Sequence, residues 1–265
     1  MKRMVALWVT AIVAALFTTS VLAANLPVKA PPAPVVAAPV YDWSGFYAGA
    51  GAGYSRGSFG WAYTNPVPSN CCAPFSSSES DTVLSGIFGA QVQFSFLVLG
   101  VDATVSDFIN NHFATQQFCV VTVPAAVCQV RLQTTDTVGG RGGFAWTNWL
   151  FYGEGGWAHT TVDSRVSTVT APSFDVATAG RNGTYWGAGI DYMAGVIPHF
   201  AFIIGVEYQH IDFHNTTLFS PLDNFNVCPP GANCRNISAK EDIVRVRLTG
   251  KWNPFDVGVA GPVRY

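Results

Sequence analysis

The stretch Asp242-Ile-Val-Arg-Val-Arg-Leu-Thr-Gly-Lys-Trp252 switches between two kinds of side chain from one residue to the next. Its uncharged face consists of Val244, Val246, Leu248, Gly250 and Trp252. Its other face consists of Ile243, Arg245, Arg247, Thr249 and Lys251. A period of two predicts an extended strand whose faces meet different surroundings. Such a strand fits the wall of a membrane barrel, with its uncharged face toward lipid and its charges toward the lumen.

Seven further segments alternate in a similar way, so the sequence predicts eight strands. They span about residues 45–55, 82–94, 97–106, 134–146, 149–162, 184–196, 200–213 and 242–252. Tight turns near 95–96, 147–148 and 197–199 alternate with long loops at 56–81, 107–132, 163–183 and 214–241. This alternation of short and long connections is typical of outer-membrane barrels. We therefore predict an all-β fold, an eight-stranded antiparallel transmembrane β-barrel in up-and-down meander order with four long extracellular loops.

The first residues have the form of an export signal. Lys2 and Arg3 provide a basic start, an apolar run follows from Val5 to Val21, and Ala23 or Ala24 offers a cleavage site. A membrane anchor is the alternative, but the apolar run is short and ends at small residues. The predicted organisation is a signal peptide (1–24), a Pro-rich periplasmic linker (25–42), the barrel (43–252) and a C-terminal extension (253–265).

Composition favours a membrane barrel over a soluble one. Charged residues are 11% of the chain, whereas ordinary soluble domains contain about 25%. A soluble lipocalin-like barrel would place large apolar side chains inside and charges outside, and the segregation here is the reverse. Five tryptophans near predicted strand ends suggest an aromatic girdle: Trp43, Trp146, Trp149, Trp186 and Trp252.

The net charge gives no sign of a nucleic-acid partner. Loss of Lys2 and Arg3 with the signal would leave 12 of the 14 basic residues against 16 acidic ones, a net charge of −4. The sequence contains no basic run, so nucleic-acid binding is not expected.

The alternation also predicts which charged side chains point into the lumen. The acids are Asp102, Glu154, Asp191 and Glu207, and the bases are Arg141, Arg245, Arg247 and Lys251. The lumen of an eight-stranded barrel is just wide enough for side chains to fill, and buried charges require partners. A balanced set of four acids and four bases therefore predicts a salt-bridge network that plugs a closed or narrow lumen.

Six cysteines remain after export, and all of them fall between the predicted strands. An even number in an exported chain suggests disulfides. Cys119–Cys128 and Cys228–Cys234 are candidate loop disulfides, whereas the pairing of the adjacent Cys71 and Cys72 stays open. No histidine neighbours these cysteines at ligand spacing, so a metal site there is not expected.

One motif raises the question of a metal or hydrolase site. His210, Asp212 and His214 share one face of a strand near its outer end. We favour a polar strand end at the membrane interface, because no positioned serine or third ligand is evident. The glycine-rich runs at 49–53 and 139–143 lie inside strands with no helix after them, so they are not nucleotide loops. No catalytic residue, metal or cofactor is predicted.

The N-terminal region resembles a known family. Leu26-Pro-Val-Lys-Ala-Pro-Pro32 is followed by Tyr41-Asp-Trp-Ser-Gly-Phe-Tyr47 and a glycine-alternating strand. This combination is similar to the small porin-like outer-membrane immunogenic proteins of alphaproteobacteria such as rhizobia and brucellae. The resemblance implies an eight-stranded OmpA-type barrel with roles in envelope integrity and surface interaction, and no known catalysis. The residues after Trp252 and the six cysteines depart from the family pattern.

The protein is expected in the outer membrane of a Gram-negative bacterium, and we consider three functions for it. The first is a structural, surface-exposed barrel; the second is a small-solute porin, against which the balanced interior argues. The third, an enzyme on a small barrel, has no support beyond the histidine motif, so the chain is predicted not to be an enzyme. The expected partners are outer-membrane lipid and lipopolysaccharide, the barrel-assembly machinery and a host or environmental surface ligand.

Overall fold

The computed structural model describes residues 41–63, 74–117, 127–167, 175–197, 199–218 and 235–254, leaving out the side chains of 63, 175, 215–218 and 235. The predicted signal peptide, most of the linker and most of the C-terminal extension lie outside these residues. The strands are β1 Gly45–Tyr63, β2 Phe75–Phe94, β3 Leu97–Phe108, β4 Ala114–Gln117, β5 Val127–Trp146, β6 Trp149–Ser167, β7 Asp175–Ile197, β8 Phe200–Leu218 and β9 Arg235–Trp252. Within the described residues, no helix is long and apolar enough to span a membrane.

The strands close into a ring. Each long strand pairs antiparallel with its neighbours in the chain, β9 pairs with β1, and β3 pairs with β5. The first and last strands close the ring in a register that places Phe46 opposite Trp252 and Gly53 opposite Arg245. The predicted eight-stranded antiparallel barrel is thus confirmed. The short strand β4 is additional, and it pairs with β5 beyond the end of β3.

The turns at one end of the barrel are as tight as predicted. Ser95, Thr147 and His199, one in each of these turns, have a positive φ, between 53° and 63°. A left-handed residue reverses the chain direction within two residues. Three of the long hairpins therefore close at the same end of the barrel.

The loops at the other end are shorter than predicted. The long loop predicted at 56–81 is in large part strand, since β1 runs to Tyr63 and β2 begins at Phe75. The loops predicted at 107–132, 163–183 and 214–241 also lose residues to neighbouring strands. The sequence was misleading here because polar residues such as those of Phe75-Ser-Ser-Ser-Glu-Ser-Asp81 are typical of loops. They instead belong to a strand that extends beyond the membrane, with Ser76 and Ser78 exposed and Asp81 buried inside the barrel.

A clamp around one aromatic ring holds the additional strand β4 beside the barrel. The ring of Phe113, just before β4, contacts two guanidinium groups, those of Arg131 at 4.4 Å and Arg165 at 3.5 Å from its centroid. Arg131 also donates to Asp163 from Nε at 3.1 Å and from Nη2 at 3.0 Å. Cation–π contact of this kind stabilises exposed sites by about 0.5–1 kcal/mol. The clamp thus ties the chain after β3 to β5 and β6.

The outer wall carries an apolar belt that ends in aromatic side chains. On β1 the belt runs from Phe46 to Tyr54, and on β9 it runs from Val244 to Trp252, and its large side chains are exposed. Nine residues of a tilted strand span roughly 20–25 Å, the height of the apolar band of outer-membrane barrels. The outer aromatic ring consists of Tyr54, Trp157, Trp186 and Tyr208; the inner one includes Phe46, Trp146, Trp149 and Trp252.

One tryptophan of the predicted girdle lies elsewhere. Trp43 is 0% exposed and packs inside the barrel near the tight turns, together with Leu150 and Met193. The prediction failed because Trp43 precedes β1, where no strand alternation decides which way the side chain points.

The interior is divided into three layers. An apolar layer near the tight turns consists of Trp43, Val98, Leu150, Tyr152, Met193, Ala201 and Ile203. A layer of buried charged and polar side chains lies in the middle. A larger apolar layer fills the far end, and its bulkiest members are Phe59, Trp61, Phe108, Tyr185, Ile211, Phe213 and Ile237. Side chains therefore fill the barrel at three heights, with the charges between two apolar layers.

The apolar belt predicts a depth-dependent effect of charge on stability. Val246→Arg, at the middle of the belt, should lower the free energy of unfolding in lipid vesicles by about 2–4 kcal/mol. Ser58→Arg, also outward-facing and exposed but above the outer aromatic ring, should change it by less than about 1 kcal/mol. Urea unfolding followed by tryptophan fluorescence measures both values. Equal effects at the two positions would contradict the assignment of the belt to lipid.

Candidate functional site

All eight side chains predicted to point into the lumen do so. Each of them is at most 8% exposed. They come from β3 (Asp102), β5 (Arg141), β6 (Glu154), β7 (Asp191), β8 (Glu207) and β9 (Arg245, Arg247 and Lys251). The strand alternation places them inward, and the ring closure brings together residues that are far apart in the sequence.

Glu207 is the centre of the strongest contacts. Arg245 Nε donates to Glu207 Oε1 at 2.7 Å, and Arg247 Nη1 donates to Glu207 Oε2. The hydroxyl of Tyr152 also donates to Oε2, at 2.8 Å. Since β8 and β9 pair with Glu207 opposite Arg245, the strand register itself produces this ion pair. One carboxylate thus accepts hydrogen bonds from two guanidinium groups and a phenol, which satisfies both of its oxygens.

Two further acids join this centre to the opposite wall. Arg247 Nη2 lies 3.2 Å from Asp102 Oδ2, and Arg141 Nη2 lies 2.8 Å from Asp191 Oδ2. Arg141 Nη1 is 3.9 Å from Asp102 Oδ2. Tyr47 bridges the gap, because its hydroxyl donates to Asp102 Oδ2 at 2.6 Å and accepts from Arg141 Nη1 at 3.1 Å. We call these three arginines and three acids, with Tyr47 and Tyr152, the charge network.

Glycines on the inner wall make room for the charge network. A Cβ at Gly205 would collide with Asp191 Oδ1, and a Cβ at Gly189 would collide with the ring of Tyr152. Both glycines sit opposite or beside large side chains across neighbouring strands. The sequence signals this complementarity through glycines at inward positions, but it does not say which large side chain each one accommodates.

Among the described residues the predicted pairing of acids with bases is wrong for Glu154, whereas Lys251 contacts main-chain oxygens. Lys251 Nζ donates to the main-chain oxygens of Asp42 and Ser44, the latter at 3.0 Å, and so ties the end of β9 to the start of β1. Glu154 Oε1 accepts from Gln209 Nε2 at 2.7 Å, and no base of the described residues forms an ion pair with it. The charge network therefore holds three acids and three bases, because strand alternation predicts direction but not distance around the ring.

The sequence missed three buried charged residues, Asp81, Arg181 and Glu241, which are 8%, 2% and 0% exposed. All three lie in stretches that were predicted to be loops. Glu241 Oε1 accepts from Ser55 Oγ at 2.7 Å, and its Oε2 accepts from Thr135 Oγ1 at 2.9 Å. Burial raises the pKa of Glu241, which lies beyond the apolar belt, to about 7. The signal that could have revealed Glu241 is the alternation of Ile237, Ala239, Glu241 and Ile243, which continues the pattern of β9.

The predicted disulfides are only partly within the described residues. Cys128 is described, and it is a buried, inward-facing residue of β5 rather than a loop residue. This corrects the expectation that all six cysteines lie between strands, and the cause is again the extension of the strands. Cys119, Cys228 and Cys234 lie outside the described residues, so both pairings stay predictions.

The histidine motif is divided among separate contacts. His210, Asp212 and His214 do share the outer face of β8, but each contacts a different neighbour. His210 Nδ1 lies 2.7 Å from Asp242 Oδ1, and Asp212 pairs with Lys240 at 2.9 Å. His214 Nδ1 donates to the main-chain oxygen of Asn182 at 3.1 Å. Throughout the part of the chain that the structure describes, no group of three or more His, Cys, Asp or Glu side chains could hold a metal ion.

No protein-family model matches the sequence, and no curated protein matches it. Comparison with solved structures finds outer-membrane proteins at low identity. OprG from Pseudomonas aeruginosa is 15% identical with a TM-score of 0.44, over 80% of this chain and 97% of that one. The protease OmpT from Escherichia coli is 9% identical with a TM-score of 0.43, over 81% and 99% of the two chains. The attachment invasion locus protein Ail of Yersinia pestis is 11% identical with a TM-score of 0.35, over 77% and 99%. At these values nothing about activity or ligand passes from those proteins to this one.

A matched pair of substitutions tests the charge network. Glu207→Gln leaves Arg245 and Arg247 without their shared countercharge, and it should lower the free energy of unfolding by about 3–5 kcal/mol. Glu154→Gln removes a buried carboxylate that is not ion-paired and keeps a group that can bond Gln209, so it should cost less than about 1 kcal/mol. Urea unfolding in vesicles at neutral pH compares the two variants. If both variants lost a similar amount of unfolding free energy, the ion pairs of the charge network would contribute nothing specific to stability.

Glu241 predicts a pH dependence of stability. Its pKa is higher in the folded barrel, at about 7, than the 4.5 of an ordinary glutamate, so the folded state favours the protonated form. The stability that this gives is fully present below pH 4.5 and is lost as the pH rises through 7. Above pH 7, the free energy of unfolding of the Glu241→Gln variant should exceed that of the wild type by on the order of 3 kcal/mol. Equal slopes of stability against pH between 4.5 and 8 for the two proteins would exclude this role.

Proposed function

We propose that this protein is a closed, structural barrel of the outer membrane of a Gram-negative bacterium, exposed at the cell surface. The observation that carries the proposal is the filling of the lumen at three heights. An aqueous pathway would have to pass Trp43 and Leu150, then the charge network, then Phe213 and Trp61, all of which are buried. Hydrophobic layers exclude water, and a paired network holds its side chains in fixed positions.

The charge network supports a structural role over a transport role. Its arginines contact acids from three other strands: Asp102 on β3, Asp191 on β7 and Glu207 on β8. A porin lines its lumen with charges that face water. Here the guanidinium groups instead bind carboxylates across the barrel and crosslink its wall.

The outer surface supports the proposed location and partners. The apolar belt fits outer-membrane lipid, and the extended strands carry the protein into the lipopolysaccharide layer and beyond it. The same proposal includes export through residues 1–24, insertion by the barrel-assembly machinery and contact with a host or environmental ligand. It also includes the relationship to the porin-like immunogenic proteins of alphaproteobacteria that the N-terminal motif suggests. The chain is proposed to have no enzymatic activity, because its histidine motif is divided among separate contacts.

Conductance tests the proposal. The full-length protein, refolded and inserted into planar bilayers, should show no large and steady conductance steps, because all three layers close the lumen. A wide porin that is refolded and inserted in the same way controls for detection. Vesicles that contain the protein should likewise retain small sugars. Steady steps of a size comparable with the porin would overturn the closed-barrel proposal and favour a small-solute porin.

A further inference from the structure

A cationic surface lies on the outer wall of the barrel, beyond the apolar belt. It is built around the ring of Phe113, which contacts the guanidinium groups of Arg131 on β5 and Arg165 on β6. The strand register places Gln129 of β5 directly opposite Arg165. All four side chains are partly exposed on the outward face. We call Phe113, Gln129, Arg131 and Arg165 the arginine patch. Neither the charge network nor the closed lumen uses it.

The two arginines of the patch differ in their partners. Arg131 Nε and Nη2 donate to Asp163 Oδ2, and its Nη1 donates to the main-chain oxygen of Asn111 at 3.3 Å. The guanidinium group of Arg165 makes no hydrogen bond or ion pair with any residue that the structure describes. Its N–H donors therefore remain available for a ligand.

The nearest acid does not fill the place of that ligand. Asp163 Oδ2 accepts from Gln133 Nε2 at 2.7 Å as well as from Arg131, and its Oδ1 accepts from Thr178 Oγ1 at 2.8 Å. Both oxygens of this carboxylate are thus occupied by other donors. Burial and the charge of Arg131 lower the pKa of Arg165, and Asp163 opposes this only in part. An anion that joined the two guanidinium groups would relieve their mutual repulsion.

The contact with Phe113 prepares Arg165 for an oxyanion. The guanidinium carbon lies 3.5 Å from the ring centroid, so the ring supports the group while its N–H edges stay exposed. Such an edge fits a carboxylate or phosphate with two parallel hydrogen bonds. Gln129 Nε2 lies 3.4 Å from Thr115 Oγ1, and these neutral groups can bond the hydroxyls of a sugar beside the anion.

The height above the membrane decides which anion the patch can meet. Trp157 of the outer aromatic ring and Arg165 both face outward on β6. At about 3.3 Å per residue and a tilt of about 40°, the stretch from Trp157 to Arg165 rises roughly 20 Å. The headgroup layer is about 5–8 Å thick on each side of a bilayer. The arginine patch therefore lies beyond the phosphates of the lipid headgroups, at the height of surface saccharides.

We propose that the arginine patch binds the phosphate or carboxylate groups of an anionic polysaccharide at the cell surface. The proposal rests on the surface-exposed outer-membrane location proposed above, and it names a ligand class and a site for it. Two sources carry the same chemistry. One is the saccharide core of the lipopolysaccharide around the barrel, and the other is an acidic polysaccharide of the host or environment.

The experiment measures saccharide binding at neutral pH and low salt. The full-length protein in phosphatidylcholine nanodiscs is titrated with the phosphorylated core oligosaccharide released from lipopolysaccharide, with polygalacturonate and with neutral dextran. Dextran should not bind. Binding of the core oligosaccharide supports the patch with lipopolysaccharide as its ligand, whereas binding of polygalacturonate alone supports it with a foreign polysaccharide. Binding of neither acidic saccharide, or equal binding of dextran, would overturn the proposal.

Substitutions locate the binding on the wall. Arg165→Gln should weaken it at least about tenfold, because two charge-assisted hydrogen bonds are lost. Arg165→Lys keeps the charge but not the planar edge, and it should recover only part of the affinity. Arg56→Gln is the matched control, because it removes an exposed arginine from β1, four strands away on the opposite side of the barrel. It should bind as the wild type does.

Unchanged affinity of the Arg165→Gln variant, or an equal loss in the Arg56→Gln variant, would contradict the arginine patch. A heat-modifiability gel of the same nanodiscs reports whether each variant is folded and inserted. An inserted barrel that binds no acidic saccharide contradicts the arginine patch alone. A wild-type protein that fails to insert contradicts the outer-membrane proposal on which the patch rests.

Discussion

The contact of Glu207 with Arg245 and Arg247 is the constraint on which the rest of the barrel depends. A charge transferred to a low-dielectric interior costs several kcal/mol unless partners with good geometry surround it. Here one carboxylate accepts from two guanidinium groups of the neighbouring strand and from Tyr152. The second arginine extends the network to Asp102, and Tyr47 carries it on to Arg141. The strand register that closes the barrel is therefore also the register in which its charges are paired.

Space decides the form of the interior as much as charge does. An eight-stranded barrel leaves just enough room for side chains, and this chain places three arginines and two tyrosines at the same height. Such crowding requires small residues on the opposing wall, and Gly189 and Gly205 lie where any side chain would collide with the network. The layers above and below are packed mainly with aromatic and aliphatic groups. The closed lumen and the crosslinked wall thus have the same physical origin.

The strands continue beyond the apolar belt. There the inward face becomes mostly apolar and the outward face becomes polar. Inward positions there hold Phe59, Trp61 and Phe213, with Glu241 among them as a buried acid. Outward positions hold serines, charged pairs and histidines. Within the membrane the barrel is apolar outside and charged inside, whereas above it the barrel resembles a soluble protein. The change occurs at the outer aromatic ring, where lipid gives way to water.

The sequence by itself determined the barrel, its strand number, its tight turns and the inward direction of eight charged side chains. It could do so because strand alternation is local, and two neighbouring residues suffice to show which face is which. Only the tertiary structure decided which charges meet. Arg141 reaches Asp191 rather than Glu154, Lys251 binds main-chain oxygens, and Glu241 lies inside a strand that sequence alone read as a loop. These outcomes depend on how far neighbouring strands are offset from one another around the closed barrel, and on how far each strand continues past the membrane. Neither property is encoded in any single segment, because each is settled by the packing of all eight strands together.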